Sequence, residues 1–200
     1  MNTQPTAAQW LPICMMIGVL AAFSVYLTQT LIAPSVPWFG GTVWALFITW
    51  GAWFSVGAKL KRLPKFCAAI IGGVVFGWIT LYVAINLFGG MGLDLKYALP
   101  LTVFFVATSI VMLELTDLFE LAFVYFFTYA SYFAYVFGNF DKQDPSMSNS
   151  TAWAVQGFHF LILLFLGLGF ALFNVWAKNR MFDIEKVPME TRNTIYDKEG

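Results

Sequence analysis

Hydrophobic residues gather along this chain in six long runs, at 10–31, 36–56, 66–87, 98–115, 118–137 and 151–176. A helix that crosses a bilayer needs about 20 apolar residues, and each run comes close to that length or exceeds it. The spacers between them are built from residues that end helices. Ala33-Pro34-Ser35 separates the first two runs, with Pro37 entering the second. Proline suits a tight turn or a helix's first turn. Gly89-Gly90-Met91-Gly92 breaks the chain after the third run, and a polar loop with Pro145 occupies 141–150. Only 114–120 marks the join between the fourth and fifth runs. The pattern predicts an all-α integral membrane protein, a bundle of about six transmembrane helices over residues 1–176, followed by a polar cytoplasmic tail at 177–200.

The basic residues orient this bundle. None of the eleven lysines and arginines falls inside a run. Lys59, Lys61, Arg62 and Lys65 lie between the second and third runs, and Lys178, Arg180, Lys186, Arg192 and Lys198 follow the sixth. Lys96 and Lys142 stand on the other side. The positive-inside rule then places both termini in the cytoplasm, for any even number of spans. The composition agrees: 60% hydrophobic and 11% charged, against about 25% charged in soluble domains. A net charge of zero gives no argument for a nucleic-acid partner. The expected setting is a multi-pass protein of the plasma membrane, in contact with lipid. A bundle this small is expected to associate with copies of itself to enclose a pathway.

Chemistry-bearing residues are few. Cys14 and Cys67 are the only cysteines and read as two reduced thiols. The first run lacks a basic segment before it and an obvious cleavage site, and reads as a retained helix. No nucleophile elbow, zinc-binding pair, P-loop or dinucleotide glycine pattern occurs. The chain is therefore expected to be no enzyme and to need no cofactor and no metal.

Small residues recur four apart as Ala69, Gly73, Gly77 and as Ala130, Ala134, Gly138. Such stripes let helices approach closely in lipid, within one chain or between subunits. Glu114, Asp117 and Glu120 would share a face on a continuous helix. They read either as a solvated turn or as an acidic cytoplasmic mouth. His159, the one histidine, lies about two turns into the sixth run. It is either a satisfied buried imidazole or a gate, since histidine changes charge near neutral pH. Tyr125, Tyr129 and Tyr132 share a helix face, and the second run carries Trp50 and Phe54 among other rings. These aromatics are either core and lipid-facing mass or the lining of a narrow, mostly dry conduit. Such a lining suits a small uncharged solute; stripping an ion of water takes converging carbonyls or charges.

The stretch Trp44-Ala45-Leu46-Phe47-Ile48-Thr49-Trp50-Gly51-Ala52-Trp53-Phe54, then Gly57, with the glycine-rich segment Ala69–Gly77, resembles a family of small bacterial inner-membrane proteins of uncharacterised function. Trp53 stands where that family's pattern has a smaller residue. This likeness covers residues 11–137 and leaves out the sixth run and the tail. The overall layout also resembles the low-CO2-inducible plasma-membrane proteins of green algae. That resemblance implies a trimeric CO2 channel serving inorganic-carbon uptake. On this expectation Trp50, Phe54, Tyr125, Tyr129 and Tyr132 line the pathway, His159 gates it, and Glu114, Asp117 and Glu120 form its mouth. The rival expectations are a proton-coupled carrier of a small solute or bicarbonate, using Glu114, Glu120 or His159, and a non-transporting scaffold subunit acting through its tail.

Overall fold

The computed structural model describes residues 7–181, and all the regular structure among them is helical. Six helices follow in chain order: α1 Ala7–Tyr26, α2 Val43–Ser55, α3 Leu63–Tyr82, α4 Leu95–Leu113, α5 Ala122–Phe137 and α6 Asn149–Met181. Lipid offers no partner for backbone polar groups, so apolar segments satisfy them internally by coiling into helices. α1 and α3 each run on through a wider π-helical turn, Leu27–Ile32 and Val83–Phe88. The Ala33 and Gly89 amides reach back five residues, to the Thr28 and Ala84 carbonyls. The Asp94 side chain caps α4 by accepting from the Lys96 amide at 3.0 Å.

Four stretches are long and apolar enough to cross a membrane: Leu11–Ile32, Leu60–Phe88, Leu95–Leu113 and Asn149–Lys178. α2 and α5 are apolar but shorter, at 13 and 16 residues. At 1.5 Å per residue they extend about 20 and 24 Å, short of a hydrocarbon core about 30 Å thick. The second run was expected to be helical from residue 36. Instead Pro37–Phe39 forms a 3-10 turn, and Gly41 takes a φ of 75°, which delays the helix to Val43. α6 continues to Met181, so the first residues of the polar tail expected from 177 are helical; the rest of the tail lies outside the described residues.

The helices fall into two compact units, the first made of Met1–Leu60 with Phe165–Gly200 and the second of Lys61–Leu164. In the second unit α3 packs chiefly on α5. The stripe Ala69, Gly73, Gly77 is buried there. A Cβ on Gly73 would overlap Thr128, and Cβ atoms on Gly72 and Gly77 would overlap the rings of Tyr125 and Tyr132. This stripe is thus consumed within the chain and is no subunit interface. The other stripe, Ala130, Ala134, Gly138, is exposed. α5 is two-faced: Val124, Tyr125, Thr128, Tyr129, Tyr132 and Tyr135 are buried, while Phe123, Phe126, Phe127 and Phe137 are exposed.

In the first unit α6 meets α2 at Gly167, where a Cβ would collide with the Leu46 backbone. Trp50 stacks on Phe170 with centroids 5.8 Å apart. α1 leaves Leu11, Met15, Val19 and Phe23, spaced four apart, exposed. A face this apolar belongs against lipid. Asn174 is 1% exposed and both amide atoms lack a hydrogen-bond partner among the described residues. A buried polar group left unpaired is costly, and an apolar side chain of similar size removes that cost. Asn174→Leu is therefore expected to stabilise the protein by about 1 kcal/mol. Thermal unfolding in detergent checks this; a lowered melting temperature would show the amide to be engaged.

Candidate functional site

The residues expected to line a pathway divide between the two units. Trp50 and Phe54 belong to the first; Tyr125, Tyr129, Tyr132 and His159 belong to the second. The tyrosines do share one face of α5, as their spacing requires, and that face points into the bundle. Each ring is seated in the packing between helices. Tyr125 lies over Gly72 between Phe76 and Phe119. The Tyr129 and Thr80 hydroxyls are hydrogen-bonded at 3.0 Å. Tyr132 fills the notch at Gly77 and donates to the Trp153 carbonyl at 2.8 Å. Tyr125 alone of the three keeps a buried hydroxyl with no partner among the described residues.

The three acids do not share a helical face. α4 stops at Leu113, Glu114 caps it, and Asp117–Phe119 forms a separate 3-10 turn. Lys65, in the first turn of α3, reaches across to this turn. Its Nζ lies 2.6 Å from Asp117 Oδ1 and 3.1 Å from Glu120 Oε1. The expected acidic mouth is therefore a mixed-charge knot in which one ammonium binds two of the three carboxylates. Asp117 is 90% exposed, and ion pairs in water contribute about 0–1 kcal/mol. The knot's main effect is to tie the α4–α5 turn to the start of α3.

The polar cluster that stands out is one the sequence reading did not assemble. The chain leaves α5 through Gly138 and Asn139, the latter at a φ of 52°, a left-handed conformation that asparagine tolerates. Two residues later Asp141 is buried, with its side chain 5% exposed. His159 Nδ1 lies 2.7 Å from Asp141 Oδ2, and the Gln156 Nε2 group donates to the Asp141 main-chain carbonyl at 2.8 Å. Gln156 and His159 are three residues apart on α6, so one helix face carries both to the same residue. The hydroxyl of Tyr135, from α5, is buried with no hydrogen-bond partner among the described residues, and Asp141 is the charge that acts on it. The imidazole is the wettest member, its side chain 22% exposed. Farther along the loop, Asp144 accepts from the Ser146 amide at 2.8 Å, which holds its carboxyl below the usual carboxylate range.

This arrangement can do specific things. A carboxylate taken out of water needs a charged or donating partner, and His159 supplies it. A hydrogen-bonded acid–imidazole pair can hold a proton and pass it to solvent on the exposed side of the ring. Acids and histidines within membrane bundles characteristically mark ion paths and proton relays. Among the described residues no group of three or more His, Cys, Asp or Glu side chains could hold a metal ion. The signal that would have exposed the cluster was present: a glutamine and a histidine on one face of an apolar helix, and an acid directly after the preceding helix.

Comparison with known families matches residues 14–179 to a family described as "Protein of unknown function (DUF1097)". The match takes in α6, which the resemblance noted in the sequence had left out. No curated protein and no solved structure matches the chain.

Proposed function

Because the chain belongs to the DUF1097 family of proteins of unknown function, which supplies no activity, we propose from the site alone that it is a membrane transport protein. It passes a small uncharged solute and uses the Asp141–His159 pair as its proton-handling centre. The observation that carries this reading is the 2.7 Å contact between a buried Asp141 carboxylate and the half-buried ring of the only histidine, in a helical membrane protein. An ungated conduit has no need of a desolvated acid–base pair, whereas proton-linked passage does. The groups facing the pair are Tyr135 from α5 and Gln156 from α6.

The charge pattern supports an uncharged cargo. In the described helices, lysine and arginine occur only in end turns, at Lys65, Lys96, Lys178 and Arg180. An anion such as bicarbonate would favour a fixed cation along its route. Carbon dioxide, the solute implied by the resemblance to algal proteins, is the first to test, with a homotrimer in the plasma membrane as the expected assembly. The Lys65–Asp117–Glu120 knot closes the cytoplasmic end in this reading.

Proteoliposomes provide the test. Vesicles carrying the protein should acidify internally on CO2 exposure faster than empty vesicles, under conditions where the lipid is not limiting. The rate should change when a pH gradient is imposed. Equal rates with and without protein, across CO2 and a panel of small neutral solutes, would overturn the proposal.

A further inference from the structure

We infer that Asp141 and Gln156 form a binding site for a small monovalent cation, sodium or ammonium. The inference deepens the transport reading and depends on it for the site's purpose, while the binding itself is measured without any flux.

The argument is a census of donors and acceptors. The Gln156 amide has a fixed orientation: its nitrogen donates at 2.8 Å to a main-chain carbonyl, which can only accept. The remaining atom, Oε1, is buried and has no donor among the described residues. Gln156 as a whole is 7% exposed. Asp141, whose main-chain carbonyl the amide nitrogen meets, brings two carboxylate oxygens, of which Oδ2 meets His159 Nδ1. The Tyr135 hydroxyl, from α5, is also buried without a hydrogen-bond partner among the described residues, and Asp141 is the charge that acts on it. Lys142, the next residue, is exposed. The cluster thus sets four acceptor atoms, the two carboxylate oxygens, the Asp141 carbonyl and Gln156 Oε1, against three donor groups, Gln156 Nε2, His159 Nδ1 and the Tyr135 hydroxyl. A buried acceptor without a donor costs stability, and a cation relieves both the unpaired oxygen and the desolvated charge. Carboxylate and amide oxygens are the hard ligands that small cations take.

His159 makes this measurable, because a histidine-specific ring 15N label on the 200-residue chain reports from one residue alone. In nanodiscs at constant ionic strength, sodium chloride or ammonium chloride is titrated against choline chloride. The His159 ring resonances should move saturably with at least one of the small cations and stay still with choline. Sodium and ammonium in separate arms identify which ion is bound. Gln156→Leu should abolish the response. Gln156→Asn, which keeps an amide but withdraws its oxygen by one methylene, should weaken the apparent affinity by about tenfold and serves should the leucine variant not fold. No saturable response in the wild type, or the same response to choline, would overturn the inference and leave Gln156 Oε1 to a buried water. An undiminished response in both variants would overturn it too. A protein that binds the cation but shows no flux contradicts the transport reading alone; flux without cation binding contradicts this inference alone.

Discussion

Replacing Gly73 with leucine should cost about 3 kcal/mol or more and leave little folded protein in the membrane. Even the first carbon of the new side chain would overlap Thr128 Oγ1 and press on the Tyr125 carbonyl. The obstacle is α5 itself: Thr128 is 1% exposed and its hydroxyl bonds the Ala69 carbonyl at 3.3 Å and the Val124 carbonyl at 2.9 Å. Relief would require α3 and α5 to move apart, and Tyr125 and Tyr132 would then lose their seats over Gly72 and Gly77. Ala130→Leu adds similar bulk to the exposed stripe on the far side of α5, and its effect should stay within about 0.5 kcal/mol. Thermal unfolding of the two variants in one detergent makes the comparison. Equal tolerance of both would refute the α3–α5 packing; a severe loss from Ala130→Leu would mean that the outer stripe is covered by another subunit.

The second large effect is expected at Asp141. Asp141→Ala removes the carboxylate that partners the half-buried His159 ring, at a cost of about 2 kcal/mol. Asp141→Asn keeps the shape and the main-chain link to Gln156 while deleting the charge, so it should fold with a smaller loss. Its signature is a changed hydrogen bond at Nδ1, visible in the ring resonances of His159. Unchanged resonances in Asp141→Asn would mean that the carboxylate and imidazole are not partners.

Much of the fold was legible because lipid imposes a simple rule. Apolar runs must coil, and charge gathers at their ends. The shared face of Tyr125, Tyr129 and Tyr132 on α5 followed from their spacing, though not which way it points, and the tight approach of α3 followed from Ala69, Gly73 and Gly77. What the run lengths concealed was where a helix begins. Trp38 and Phe39 are as apolar as the helix that follows them, yet they form a 3-10 turn because Pro37 starts it and Gly41 redirects the chain. The site was harder for a different reason. Lys65 meets Asp117 from 52 positions away, and Asp141 meets His159 from 18. No local periodicity encodes such meetings. Asp141 read as the opening residue of a solvated loop, and only the left-handed turn at Asn139 returns it to the bundle. His159 read alone as a gate or a satisfied imidazole; the structure gives it a partner and so turns a single residue into a pair.

The most direct measurement compares solute entry into proteoliposomes carrying the wild type or Asp141→Asn, at matched protein content and with folding verified, across an imposed pH gradient. Gradient-dependent entry should be present in the wild type and reduced at least about tenfold in the variant, the scale of a proton-transfer group's contribution. Entry that responds to the gradient equally in both would contradict the account.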